Sequence, residues 1–369
     1  MAYVTDRAGI DRLIGSLVAR GFHVIGPTLD GDVVDLGPVG STADLAVGTT
    51  SVPDAGRYRI AGRGDDALFG AVVGPSSVKR YLHPPVATLV EARRAGAGFT
   101  AAPGESATPT AFVGVRPCDV AAVGVQDRVF VDGPRRDAVY GPRRDASAIV
   151  AVNCTEPAAT CFCASVGTGP RVGSGSDVAL TEVVDGDEHW FLVEVGSPLG
   201  ADLVDDIGAK EATDEQRATC DRLLDEAAGR MGRSLDVEAV PDALAGSLES
   251  PRWEEIAGRC LTCANCTLVC PTCFCASVDD HTSLTGEEAV RVRRWDSCFN
   301  EEFSYIHGGA LRPSPAARYR QWLTHKLSTW VDQFGVLGCV GCGRCITWCP
   351  ARIDITEEAA AFQREVAHA

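Results

Sequence analysis

Half of the sixteen cysteines fall into two runs with one spacing: Cys260, Cys263, Cys266 and Cys270 before Pro271, and Cys339, Cys342, Cys345 and Cys349 before Pro350. Both read C-x2-C-x2-C-x3-C-P, the arrangement that holds 4Fe-4S cubes. Two residues between thiolates let a tight loop wrap one face of a cube and aim three sulfurs inward, while the fourth cysteine swings away. The proline that follows fixes φ and ends the turn. Zinc is the competing use of paired cysteines, but four-cysteine zinc sites usually divide into two C-x2-C pairs across a longer loop. Here four thiols crowd into 260–270 and again into 339–349. The chemistry implied is one-electron transfer.

In two-cluster ferredoxins the fourth cysteine of each run ligates the other cluster. The expected sets are therefore Cys260, Cys263, Cys266 and Cys349 for one cube, and Cys339, Cys342, Cys345 and Cys270 for the second. A shorter repeat lies outside these runs: Thr160-Cys161-Phe162-Cys163-Ala164-Ser165 recurs as Thr272-Cys273-Phe274-Cys275-Ala276-Ser277. With Cys118, Cys154 and Cys298 it brings seven further cysteines, enough for a third cluster. The preferred third set is Cys118, Cys154, Cys161 and Cys163. An alternative uses Cys273, Cys275 and Cys298 with one ligand from the first domain, or builds a fourth cluster completed by a non-cysteine ligand. The plainer alternative makes those three small buried residues near a cluster. Cys220, between Thr219 and Asp221, reads as an ordinary helix residue.

The elements that must position these thiols read as α/β in the first half. Ile10, Leu13, Ile14, Leu17 and Val18 repeat one face of an opening helix. Residues 111–115 and 148–152 are continuously apolar, as buried strands of a mostly parallel sheet are. Each runs directly into a cysteine, Cys118 after Val115-Arg116-Pro117 and Cys154 after Val152-Asn153. Open α/β sheets assemble ligand sites beyond the carboxyl ends of adjacent strands, so these two thiols are expected side by side. A hairpin follows, 177–184 and 189–195 joined by Asp185-Gly186-Asp187-Glu188, and then a polar helical stretch over 202–246. The expected division is an α/β domain over 1–248, carrying the additional cluster, and a two-cluster domain over 249–369. A helix over 318–334, with Tyr319, Trp322, Leu323, Leu327, Trp330 and Val331 on it, points to an α-helical-type dicluster ferredoxin domain.

Composition excludes several classes. A formal charge of -16 opposes binding to nucleic acid, whose phosphates demand a basic face. No apolar run approaches the ~18 residues of a membrane span. Residues 1–20 mix Asp6, Arg7, Asp11 and Arg12 with apolar residues, unlike a signal-peptide core, so a cytoplasmic chain with reduced thiols is expected. There is no G-x-x-x-x-G-K-[ST], and Gly167-Thr168-Gly169-Pro170 does not open a helix after a strand, so no nucleotide site is expected. Nothing selects a catalytic residue.

Gly114-Val115-Arg116-Pro117-Cys118-Asp119, Asn153-Cys154, Arg294-Trp295-Asp296-Ser297-Cys298 and Gly338-Cys339-Val340-Gly341-Cys342-Gly343-Arg344-Cys345, with both Cys-Phe-Cys segments, together resemble one family. It is the iron-sulfur β subunit of cytoplasmic NAD(P)-linked NiFe hydrogenases of the sulfhydrogenase type. The likeness runs from about residue 110 to 355 and is weak before that. The iron-sulfur subunit of anaerobic sulfite reductases is similar in the same motifs, which keeps an electron-transfer role in a sulfite or sulfur reductase as the alternative. The resemblance implies a four-subunit enzyme: a NiFe catalytic subunit, with a small iron-sulfur subunit, handles H2, a flavin subunit handles NAD(P)H, and this chain joins the electron path. Gly341 and Gly343 would let backbone amides approach a cluster. Arg344 would either raise a cluster's potential or sit in a solvated loop.

Overall fold

Asp6 closes the first strand and opens the first helix, accepting a hydrogen bond from Gly9 N at 2.9 Å as N-cap of Arg7–Ala19. The computed structural model describes residues 2–368 apart from Val73, Glu105 and Asp187, so the Asp187 part of the expected hairpin connection lies outside the described residues. Ile10, Leu13, Ile14 and Leu17 are fully buried against the main sheet. Val18, expected on the same face, is 51% exposed, because it falls past the edge of that stripe.

Among the described residues the main sheet has eight strands. In spatial order they are Lys210–Glu211, Ala2–Thr5, Glu188–Val195, Val178–Asp185, Ser147–Val152, Thr110–Val115, His23–Asp30 and Val33–Pro38. The expectation of a mostly parallel sheet is corrected: the sheet is mixed. Parallel pairing is confined to its middle, where Ser147–Val152 lies between Thr110–Val115 and Val178–Asp185, and Thr110–Val115 also pairs His23–Asp30. The other pairings are antiparallel: His23–Asp30 with Val33–Pro38 and Val178–Asp185 with Glu188–Val195 are hairpins too tightly connected for a crossover, and Ala2–Thr5 pairs antiparallel with Glu188–Val195 and Lys210–Glu211 from far along the chain.

The two central parallel strands are the apolar segments read from the sequence, and their ends deliver Cys118 and Cys154 to one edge. A register shift between Val113 and Val115 leaves Gly114 at φ 79°, with Phe69 and Pro27 packed where a Cβ would sit. This bulge re-aims the chain just before Arg116-Pro117-Cys118, a common use of bulges beside sites. Pro117 then starts the helix Pro117–Phe130, placing Cys118 in its first turn.

A second, antiparallel sheet joins distant parts of the chain: Ala276–Thr282, Glu288–Trp295, Val86–Ala95 and Gly98–Pro103. The hairpin at 276–295 escapes sequence reading because Asp279, Asp280, His281, Arg293 and Arg294 dilute its apolar alternation. Beyond it, Ser314 caps Pro315–Thr324, and the helical run expected over 318–334 continues through a π turn, His325–Thr329, into Trp330–Phe334. The closing helix Ile355–His368 packs Phe362 against Trp253, ring centroids 4.1 Å apart. No helix among the described residues is long and apolar enough to cross a membrane.

Candidate metal centres

Fifteen of the cysteines gather around one region of the molecule, and Cys220 stands apart, fully buried in a small apolar cluster on the helix Asp214–Gly229. Three cavities take most of the rest. The first is lined by Cys260, Cys263, Cys266, Cys345 and Cys349, with Phe299, Tyr319, Trp322 and Ile355 among the apolar walls. Cys270, Cys339, Cys342 and Cys345 line the second, beside Phe162 and Lys326. The third is lined by Cys118, Cys154, Cys161, Cys163 and Cys342, with Arg116 and Arg344. Each run's last cysteine thus lies with the other run's first three, and the two strand-end thiols meet the Cys161–Cys163 segment.

Among the described residues no three His, Cys, Asp or Glu side chains form a group that would hold a single metal ion. The sulfurs stand around cavities instead, and the donor set is thiolate throughout. That suits a cube of iron and sulfide better than zinc.

The two cysteine loops share an unusual backbone. Thr262 and Ala264 have φ of 48° and 65°, and the matching positions of the second loop, Gly341 and Gly343, have 62° and 71°. The left-handed turns let the loop curl so that successive amides and sulfurs face the cavity. Gly341 N approaches Cys339 Sγ at 3.5 Å, and Ile353 N donates to Cys349 Sγ at 3.3 Å. Glycine is required in the second loop for a further reason: a Cβ on Gly341 would lie 2.6 Å from Cys163 N, and one on Gly343 would overlap the Thr160 carbonyl. The first loop has no such neighbour. Its Leu261 is 65% exposed and Cys263 is exposed, so side chains are tolerated there at the cost of strain, roughly 1–2 kcal/mol per left-handed residue.

Charge around the cavities is arranged to meet buried sulfur. Burial pushes the Cys161 and Cys339 thiols up to about 12, and those of Cys118, Cys266 and Cys345 well above their ordinary value. Such thiols ionise only when a metal displaces their protons. Arg116, 6% exposed, donates to the carbonyls of Phe69, Ala71 and Asn153 and has no carboxylate partner among the described residues. Its charge faces the third cavity uncancelled. Arg344 differs. It is buried rather than solvated, and its guanidinium grips Asp119 through two bonds of 2.6 and 2.7 Å, with Nε on Gly74 O at 3.1 Å. The pair is close to neutral and ties the second cysteine loop to the first turn of the Cys118 helix.

Cys273, Cys275 and Cys298 line none of these three cavities. The neighbouring Cys298 holds the Cys275 thiol down, to about 7, and Cys298 is raised in turn. Sequence reading missed the two lysines beside them, Lys79 and Lys326, each 5% exposed. Lys326 was visible as a charge inside an otherwise apolar helical face, next to Leu323, Leu327 and Trp330. Lys79 carried no such signal.

Loop strain and the buried ion pair give two expectations, both read from denaturant unfolding of the anaerobically prepared chain. Ala264→Gly is neutral or stabilising by up to ~1 kcal/mol, whereas Gly343→Ala destabilises by more than ~1 kcal/mol. Asp119→Ala strands a buried guanidinium and costs about 3–5 kcal/mol, most of which returns when Arg344→Met is added.

Residues 259–353 match the 4Fe-4S dicluster domain family. The chain is also 36% identical, over 249 residues, to sulfhydrogenase 2 subunit beta of Pyrococcus furiosus, an alignment that covers 65% of this chain and 70% of that protein. Among solved structures, none matches. The cysteine-lined cavities and the dicluster match agree on multiple 4Fe-4S clusters, and the chain belongs to the family of iron-sulfur β subunits of sulfhydrogenases.

Proposed function

We propose that this chain is the electron relay of a cytoplasmic NiFe hydrogenase, carrying single electrons between a hydrogenase module and an NAD(P)-flavin module. The observation that supports it most is the sharing of cavity walls. Cys345 borders both the first and second cavities, and Cys342 borders both the second and third. Three sites in contact through common residues make an unbroken path, and no nucleotide pocket or catalytic group is needed in this chain.

The proposed ligands are Cys260, Cys263, Cys266 and Cys349 for the first cube, Cys339, Cys342, Cys345 and Cys270 for the second, and Cys118, Cys154, Cys161 and Cys163 for the third. The first two belong to the proposed carboxy-terminal domain, 249–369, and the third to 1–248. When bound, each cube supplies a one-electron couple whose potential follows local charge, burial and hydrogen bonds to sulfur. The chain's own residues set those terms. Gly341 N and Ile353 N direct amide dipoles at Cys339 and Cys349, Lys326 donates to Cys270 Sγ at 3.3 Å, and Arg116 faces the third cavity. All four favour added negative charge and so raise potential. Phe162, 1% exposed, and Trp322 keep water from the walls between cavities.

The partners proposed are the NiFe catalytic subunit, a small iron-sulfur subunit and a flavin subunit that binds NAD(P). The name of the Pyrococcus furiosus relative favours this assembly over a sulfite reductase. The exposed edge at Leu261 and Cys263 is the proposed point of electron entry or exit.

In the purified complex, Cys342→Ser should abolish H2-dependent NAD(P)+ reduction while dye-coupled H2 oxidation continues. Loss of both activities together, or of neither, contradicts a relay. Cys349→Ser should remove the EPR component that Cys260→Ser also removes, with ~4 Fe lost per chain. Removal of the component shared with Cys339→Ser would contradict crossed ligation.

A further inference from the structure

The second cysteine loop differs from the first in a way that holding a cube does not explain. Thr262 and Ala264 take the same left-handed conformations as Gly341 and Gly343, so a loop of this shape accommodates side chains at both positions. The glycines answer to a neighbour. A Cβ on Gly341 would meet Cys163 N and Cα at 2.6 Å, and one on Gly343 would overlap the carbonyl and the hydroxyl of Thr160. Thr160 and Cys163 bracket the segment that carries both Cys161 and Cys163 into the third cavity.

That segment is bonded to the second cysteine run at several points. Phe162 N donates to Gly341 O at 2.9 Å, Thr168 Oγ1 donates to Val340 O at 2.8 Å, and the hydroxyls of Thr160 and Thr347 pair at 2.9 Å. Phe162 goes further. Its ring lies in the apolar core formed around Trp322, Ile346 and Ile355, although the residue belongs to the first half of the chain. Thr160 and Phe162 are 2% and 1% exposed, so these contacts are made out of water, where a hydrogen bond left unmade is costly.

A separate tie reaches the same cavity from the helix Pro117–Phe130. Cys118 precedes Asp119, whose carboxylate is gripped by Arg344, the residue after Gly343. Three of the four thiols proposed for the third cube are thus braced by the second cysteine run, and Cys154 completes the set from the end of its strand. The Thr-Cys-Phe-Cys-Ala-Ser repeat follows the same logic. In its second copy Thr272 Oγ1 donates to Gly338 O at 2.8 Å, so each copy spends the hydroxyl of its buried leading threonine on or beside the second run.

We propose that Gly341, Gly343 and Arg344 are positioning residues for the third cube. The second cysteine run holds its own cluster and seats Cys118, Cys161 and Cys163 beside it, so the third site fills only when the second is loaded. The inference rests on the ligand sets of the proposed relay. Metal binding orders the loop that supplies its ligands, and the ordered loop is the seat that the third set requires. One loop between two cubes also fixes the gap that an electron crosses.

The test reads iron content and EPR components at graded potentials in the anaerobically prepared full chain. Cys154→Ala identifies the third component and should lose ~4 iron atoms. Cys339→Ala identifies the second and should take the third with it, ~8 iron atoms together. Persistence of the Cys154-dependent component in Cys339→Ala would overturn the inference and leave the relay standing. Gly343→Ala keeps every thiolate and gives the second loop a side chain that the first loop already carries. It should retain the second component and lose the third or move its midpoint; an unchanged third component would overturn the seating. Thr347→Val answers where Gly343→Ala does not fold, because it removes only the hydroxyl that meets Thr160. It should move the midpoint of the Cys154-dependent component and not that of the Cys339-dependent one, and a set of unmoved midpoints contradicts the proposal. A wild-type chain from which Cys154→Ala removes no component would overturn the proposed third ligand set, and this inference with it.

Discussion

Sulfur bears negative charge in an apolar interior only where positive charge meets it, and that constraint organises this molecule. Burial raises the thiols of Cys266, Cys339 and Cys345 in the two runs and of Cys118, Cys154 and Cys161 in the third group. Left metal-free they are neutral, and the chain gains little from bringing them together. Iron changes the balance, because ligation discharges the protons and joins segments that are far apart in sequence. Folding and metal loading are therefore linked in this chain, as they are in other metal-dependent domains.

The protein scaffold contributes what iron does not. A bulge at Gly114 re-aims one central strand toward the third cavity, and left-handed turns at Thr262, Ala264, Gly341 and Gly343 curl the loops of the first two. Positive side chains are then distributed unequally. Arg344 is neutralised by Asp119 and serves mainly to hold two segments together, whereas Arg116 and Lys326 lie beside the cysteine-lined cavities with no carboxylate partner among the described residues. Unequal compensation would give chemically identical cubes different potentials.

The cysteine spacings were readable because a cube face is spanned by a few consecutive residues, so short-range sequence carries the information. The strands ending at Cys118 and Cys154 were readable for a similar reason, as buried parallel strands are apolar throughout. What escaped was long-range or polar. The mixed character of the sheet depends on two hairpins and on edge strands brought from distant parts of the chain, and an apolar run does not state the direction of its neighbour. The pairing of Arg344 with Asp119 joins residues from opposite halves of the chain, and the polar hairpin at 276–295 lacks a clean alternation. Lys79 had no local signature, because the groups that bury it, Leu268 O and the Trp295 ring, are distant in sequence.

The central claim is that iron sits in cavities walled by cysteines from different parts of the chain. Anomalous diffraction at the iron edge, on crystals grown without oxygen, tests it most directly. Compact iron peaks should fill the cavities at Cys260–Cys349, Cys270–Cys339 and Cys118–Cys154. Peaks at the zinc edge alone, or continuous density between paired sulfurs with no metal, would contradict the account.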